Sequence, residues 1–325
     1  MTRKLYQPVD LSQVRTYSVR ERTNKVQVAR HFAGSPEPGI TFLEFLDSLP
    51  ELLGAEALLQ VVDAVASAHR KGRPVVLAIG GHVIKCGLQP VLKSLCEQGI
   101  VTAIAMNGSA VIHDFEVAMI GETSEDVGRG LHSGDFGFAR ETAEGINGAL
   151  QQGYAANKGF GQAVGEAILN RKLPFAEHSL LATCVEHDIP VTVHVAIGAD
   201  IIHQSPSMDG AVTGEMSYRD FRLLTSIVAD LSGGAWLNIG SAVVLPEVFL
   251  KALSIAQNLG SKVDDFVTAN FDMQQHYRPL QNVINRPTSG TGRGFQVTGH
   301  HEINIPLFAQ ALLEKLAQEG SDVED

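Results

Sequence analysis

The chain has 325 residues, 44% of them hydrophobic and 19% charged, and a formal net charge of −11. That balance excludes a disordered chain, and no apolar run approaches the ~18–20 residues a membrane-spanning helix needs. So acidic a chain is also a poor fit to nucleic acid, because phosphate contacts need a basic face.

The charge is uneven. Residues 1–31 hold Arg3, Lys4, Arg15, Arg20, Arg22, Lys25 and Arg30 against only Asp10 and Glu21. An Arg-rich, acid-poor start fits either an organelle transit peptide or a structured arm. Pro8 and the Val26-Gln27-Val28 stretch favour the arm, and the apolar core of a secretory signal is missing. We expect residues 1–40 to be a basic arm and loop, 41–318 to be one domain, and 319–325 to be an acidic tail. Cys86, Cys96 and Cys184 form no CxxC pair. They suit a reduced, cytoplasmic protein better than a disulfide framework or a thiolate zinc site.

In chain order, short apolar runs end at turn signals: Val75–Ile79 at Gly80-Gly81, Ile100–Met106 at Asn107-Gly108, Ile189–Ile197 at Gly198, Ala235–Ile239 at Gly240, and Asp265–Phe271 at a polar cluster. Such runs read as buried parallel strands. Helical patterns fill the gaps over residues 55–70, 83–98, 109–120, 137–151, 158–170, 217–231, 246–259 and 304–318. Strand, loop and helix in repetition predict an α/β, doubly wound, mostly parallel sheet with helices on both faces. Ligands bind such sheets at the carboxyl ends of the strands, where each segment below is expected.

Gly80-Gly81 after a strand lets a ligand approach the backbone closely, although it is not a GxGxxG fingerprint. Asn107-Gly108 forms a turn, and Ser109 can cap the next helix. His113 and Glu116, three residues apart, share one face of that helix, with Asp114 beside them. Three ionisable groups within four residues, flanked by apolar side chains, are costly in a core and suggest a site. A histidine can take and return a proton near neutral pH, so His113 with Asp114 or Glu116 is the candidate acid–base group. His194 lies inside a strand. Asp200 and His203 fall in the polar loop after it, a type of loop that often serves a site. Gly240 and Ser241 repeat the strand-then-small-residue design. Arg286 and Arg293 lie in a basic, Gly-rich stretch that can close over an anion, and either can hold a carboxylate in a bidentate contact. No GxSxG, P-loop or HExxH motif occurs.

Gly80-Gly81…Ile84-Lys85-Cys86, Ile189-Pro190-Val191, Gly240-Ser241-Ala242-Val243-Val244, the Asn-containing strand at 263–271 with the Gly-rich loop after it, and Ile303-Asn304-Ile305-Pro306-Leu307-Phe308 together resemble the deoxyhypusine synthase family. The resemblance covers roughly residues 40–318. Asn107-Gly108-x-Ala110-x-x-His113-Asp114-x-Glu116 is similar to a motif in the LOR/SDH-like NAD-binding domain of archaeal-type ornithine cyclodeaminases.

These resemblances imply a Rossmann-like NAD-binding fold. They imply NAD lined by Gly80, Gly81, Asn107, Gly108, Ser109, Gly240 and Ser241, and a small amine or amino acid oxidised transiently to an imine. Together with the residue readings above, we expect His113, Asp114, Glu116, Asp200 and His203 to serve the chemistry and Arg286 or Arg293 to bind substrate; the resemblance further implies that four copies assemble with sites near their interfaces. The departures are specific. No lysine lies between Lys262 and Lys315, no histidine lies in Val243–Pro246, and His82 stands where that family carries an acidic pair. They argue against deoxyhypusine synthase activity itself. Two alternatives remain open: a metal enzyme drawing ligands from His82, His113, His194 and His203, and a non-catalytic nucleotide-binding protein.

Overall fold

The structure is a computed structural model that describes residues 4–321. Residues 4–30 are exposed at every position, and the one turn of helix there, α1 (Val28–His31), buries nothing. Order begins to pay off in burial at α2 (Phe42–Asp47). Thr41 and Glu44 close a capping box around its first turn, and Leu46 reaches the core.

From there strands and helices alternate: α3 (Leu53–Arg70), β1 (Val75–Ile79), α4 (Gly81–Lys85), α5 (Gln89–Glu97), β2 (Ala103–Asn107), α6 (Gly108–Ile120), α7 (Val127–Ser133), α8 (Arg140–Ala155), α9 (Phe160–Asn170), α10 (Leu180–Glu186), β3 (Val191–His194), α11 (Gly210–Ala229), β4 (Ala235–Ile239), α12 (Val244–Asn258), β5 (Val267–Asp272), α13 (Tyr277–Pro279), β6 (Arg293–Thr298) and α14 (His301–Ser321). The six strands form one parallel sheet in the order β3-β2-β1-β4-β5-β6.

Alternate residues of a strand face opposite sides of a sheet, and the core divides accordingly. Val75, Leu77 and Ile79 of β1 pack with Ile104 and Met106 of β2 against the face that carries α3, α5, α6 and α14. Val76, Ala78, Ala103 and Ala105 point the other way, under α11 and α12. There Trp236 stacks on Phe249 with centroids 4.2 Å apart. Helices therefore cover both faces, and the α/β doubly wound reading holds.

Several expectations are corrected. The helix expected at 83–98 is two helices, because Gly87 takes a left-handed φ of 70° and Pro90 opens α5. The helix expected from 217 begins at Gly210, where the Asp209 carboxylate accepts from the Ala211 and Val212 amides. Strand β6 was expected as part of a loop. Helix α14 runs to Ser321, into the segment expected as a tail, and residues 322–325 lie outside the described ones. Among the described residues no helix is long and apolar enough to cross a membrane.

Candidate functional site

The strand order reverses between β1 and β4, and the crevice at their carboxyl ends is where such sheets take ligands. Gly80 donates its amide to the Ile239 carbonyl at 2.9 Å. A Cβ on Gly80 would fall 2.8 Å from the Gly240 carbonyl carbon, so the two loops can meet only if residue 80 has no side chain. Gly240 itself has φ 66°, a conformation that favours glycine. A Cβ there would lie 2.9 Å from His301 Nε2.

Below this crevice runs a chain of buried amides. Asn238 donates to the Ser241 carbonyl at 2.9 Å and to Asn270 at 2.7 Å, and Asn270 donates to Gln275 at 2.7 Å. Asn238 Oδ1 and His301 Nδ1 are buried without a partner. Burial pushes the His301 ring below the usual histidine range, helped by His82 and His300 and opposed by Asp272 and Glu302. Ser241 is itself buried, and its Oγ accepts from the Leu245 amide at 3.2 Å at the start of α12.

On the β2 side a cavity of about 220 Å³ opens among Lys85, Ser109, Ile112, His113, Glu116, Ser124, Glu125, Val127, Phe136, Ala199, Asp200 and Ile201. Gly81 joins it to the crevice, since a Cβ there would lie 3.0 Å from Ser109 Cβ and 3.1 Å from His113 Cδ2. His113 Nδ1 is 2.7 Å from Thr123 Oγ1. Thr123 Oγ1 in turn donates to Glu116 Oε2 at 2.5 Å, while Thr142 donates to Glu116 Oε1 at 3.0 Å. Burial pushes the Glu116 carboxyl up, but His113, Thr123 and Thr142 together hold it below the usual carboxylate range.

Asp200 packs over the first turn of α6. A Cβ on Gly108 would fall 2.7 Å from Asp200 Oδ1. Asp200 Oδ2 is buried without a partner. Burial raises its carboxyl to about 6, against a smaller pull from the Ala196 amide.

The structure brings His113, Glu116, Ser109 and Asp200 together in the cavity, with Gly81 beside Ser109 and His113, and Gly80 and Gly240 meeting where β1 and β4 end. Other expected residues lie elsewhere. Asp114 is fully buried and turned away: its carboxylate accepts from Ser179 Oγ at 2.6 Å and from the Leu180 and Leu181 amides at 2.9 and 3.1 Å, at the N-terminus of α10. Burial raises it to about 6, and those three donors oppose the rise. It holds a helix start and does not line the cavity.

Asn107 is used up as the cap of α6, accepting from the Ala110 amide at 2.9 Å, and Gly108 lies beneath Asp200. His203 accepts from the Gly198 amide at 3.3 Å, its Nε2 is buried without a partner, and it lies outside the cavity lining.

Arg286 and Arg293 are at the wrong end of the sheet. Arg293 opens β6 opposite Val267, the first residue of β5, and its guanidinium lies 5.7 Å from the Phe295 ring centroid. Arg286 bonds Asn282 at 2.7 Å and lines a separate hollow with Val263, Phe266 and Gly292, all preceding strands β5 and β6. The Gly-rich stretch leads into a strand, so it lies at an amino end.

The histidines proposed as metal ligands do not converge either. His194 Nε2 is bonded to Thr192 Oγ1 inside the core, and His82 is exposed on α4, its ring 5.7 Å from that of His301. Among the described residues no three His, Cys, Asp or Glu side chains are placed to hold a metal ion.

Thr123, Glu125 and His301 were not expected at the site, and Lys85 only as part of the Gly80–Cys86 motif. Two signals were present: the polar run Glu122-Thr123-Ser124-Glu125 after the Gly121 helix stop, and His300-His301 after a strand end.

No protein-family model and no curated protein matches the sequence. Solved structures do match it. A conserved candidate LOR/SDH protein from Methanococcus maripaludis S2 is similar over 83% of this chain and 71% of that one, with 17% identity and TM-score 0.51. AgrE in its binary complex with L-arginine is similar over 80% of this chain and 33% of its own, with 17% identity and TM-score 0.52. A candidate deoxyhypusine synthase from Entamoeba histolytica is similar over 85% of this chain and 94% of that one, with 12% identity and TM-score 0.50. The chain spans about a third of the length of AgrE and of the cyanobacterial arginine dihydrolase ArgZ. The fold is deoxyhypusine-synthase-like.

Proposed function

We propose that this chain binds NAD along the crevice between β1 and β4 and acts on a small amine or amino acid held in the adjoining cavity. The observation that carries the reading is the junction at Gly81. It sets the His113 ring directly beside the crevice where the strand order reverses.

Two observations where β1 and β4 end support a dinucleotide there. Glycine backbone lies at its edge, and two buried polar atoms, on Asn238 and His301, lack a partner nearby. NAD would supply a hydride acceptor and donor, so that the amine-bearing carbon passes through an imine and is reduced again. The chain's own groups hold and move protons. His113 takes the proton of the substrate amine and returns it. Asp200, with a buried carboxylate oxygen lacking a partner, is the counter-charge for a cationic amine. Lys85 is the only cationic side chain lining the cavity among the described residues, and it suits a substrate carboxylate. The tetramer implied by the resemblance is part of the same proposal, and light scattering on the purified protein tests it.

Calorimetry with NAD and with NADP tests the cofactor. The expected result is micromolar binding of one dinucleotide that survives His113→Ala, together with amine turnover that does not. Failure to bind either dinucleotide overturns the reading.

A further inference from the structure

The cavity has a roof, residues 121–139, that is weakly tied to the rest of the fold. Gly121, Gly134 and Gly137 take φ of 72°, 82° and 79°, and α7 within the roof buries none of its residues. Gln204 donates to the Phe136 carbonyl at 2.7 Å, and Glu125 accepts from the Gly137 amide at 2.9 Å. Thr123 is the roof residue that touches the candidate base.

The proton count at Thr123 determines the form of His113. A hydroxyl has one proton, and Glu116, held as a carboxylate, can only accept. The Thr123 proton therefore goes to Glu116 Oε2. The Thr123 oxygen must then accept from His113, which requires the proton on Nδ1. In the neutral ring Nε2 is left as the lone-pair site, and it has no hydrogen-bond partner among the described residues. A base in this cavity needs that tautomer, because the opposite one would present an N–H to the substrate.

We propose that Thr123 is a positioning residue. It relays the charge of Glu116 to His113 Nδ1 and so fixes Nε2 as the proton acceptor facing the cavity. Thr123 lies on the roof, beyond the Gly121 stop of α6, so the tautomer of the base depends on a segment outside its own helix. The inference rests on reading His113 as the cavity's base.

The test is magic-angle-spinning NMR of protein labelled with ¹³C,¹⁵N-histidine, which reads tautomers directly whatever the size of the assembly. The His113 signal is identified among the 12 histidines by its loss in His113→Gln. The wild type should show the Nδ1–H form, Thr123→Ser should keep it, and Thr123→Val should convert it wholly or partly to Nε2–H. Glu116→Gln is a second route to the same conversion, since its amide can donate to Thr123 and turn the hydroxyl proton toward the ring. An Nε2–H ring in the wild type, or an Nδ1–H ring that persists in both Thr123→Val and Glu116→Gln, overturns the proposal. Once a substrate is in hand, Thr123→Val should lower kcat about 100-fold with KM little changed, and Thr123→Ser should restore it. NAD calorimetry on the same samples reports on the parent reading, so each can fail alone.

Discussion

Replacing His194 by glutamine should remove most of the acid sensitivity that this one side chain gives the fold. His194 is 3% exposed on β3, its Nε2 bonded to Thr192 at 3.0 Å, and burial depresses its ring from the usual 6.5 to about 3. A depressed histidine contributes stability that is intact above about pH 6.5 and lost as pH falls toward 3, because the unfolded chain takes up a proton that the folded one refuses. Each unit of pH below 6.5 costs about 1.4 kcal/mol. At pH 4.5 the wild type should have lost on the order of 3 kcal/mol through His194 alone. Urea unfolding of both proteins at pH 7.5 and 4.5 isolates this amount. The difference between their two losses cancels every other titrating group and any baseline cost of the substitution. Equal losses in the two proteins would show that His194 is protonated in the folded state, which would refute the account of a sealed, neutral core histidine.

Four further outcomes follow from the geometry. Asp114→Asn should cost about 2 kcal/mol, since an amide cannot accept from all three donors at the start of α10, and should leave dinucleotide affinity unchanged; lost affinity with an unchanged Tm would return Asp114 to the site. Gly80→Ala should abolish NAD binding and lower stability by about 1–3 kcal/mol, because its Cβ meets the Gly240 backbone; calorimetry beside a thermal scan decides, and full retention of binding would sink the crevice assignment. Arg286→Ala and Arg293→Ala should leave both cofactor and amine binding within twofold of wild type, and a larger loss in titrations would contradict their placement at the amino ends of the strands. Asp200 ionises above about pH 6, so affinity for a cationic amine should weaken as pH falls from 7.5 to 5. Asp200→Asn should flatten that profile, and an unchanged pH dependence in the variant would remove Asp200 as the counter-charge.

The sheet was legible in the sequence because a parallel strand covered on both faces must be apolar throughout. The runs at Val75–Ile79 and Ala235–Ile239 coincide with β1 and β4. Strand β6 escaped because it is an edge left exposed, unlike the buried edge strand β3. Arg293, Gln296 and Thr298 are exposed, so its composition resembles a loop. The same mistake displaced both arginines, since a loop that follows β5 and a loop that precedes β6 belong to opposite ends of the sheet. Within Asn107–Glu116, spacing placed His113 and Glu116 on one face of α6. It could not separate them from Asp114, whose direction is set by α10, some 65 residues further on. Thr123 could not be found by local spacing either, because the turn at Gly121 folds it back onto the helix that precedes it.

The meeting of Gly80 with Gly240 also has a kinetic consequence. Strands β4, β5 and β6 follow one another closely in the chain, whereas β1 and β4 pair across roughly 150 intervening residues, and closing a loop that long costs about 1.5 kcal/mol more chain entropy than closing the short ones. The β1–β2 and β4–β5–β6 groups, whose connections are short, are therefore expected to assemble early, and the longer-range β2–β3 and β1–β4 pairings to form later. In pulsed hydrogen exchange during refolding, the Gly80 amide, bonded across the β1–β4 seam to Ile239, should be protected after the amides within either group. The proposed cofactor crevice would then be among the last parts of the protein to form. A chain stalled just short of the native state would carry nearly all its secondary structure and no ability to hold a dinucleotide.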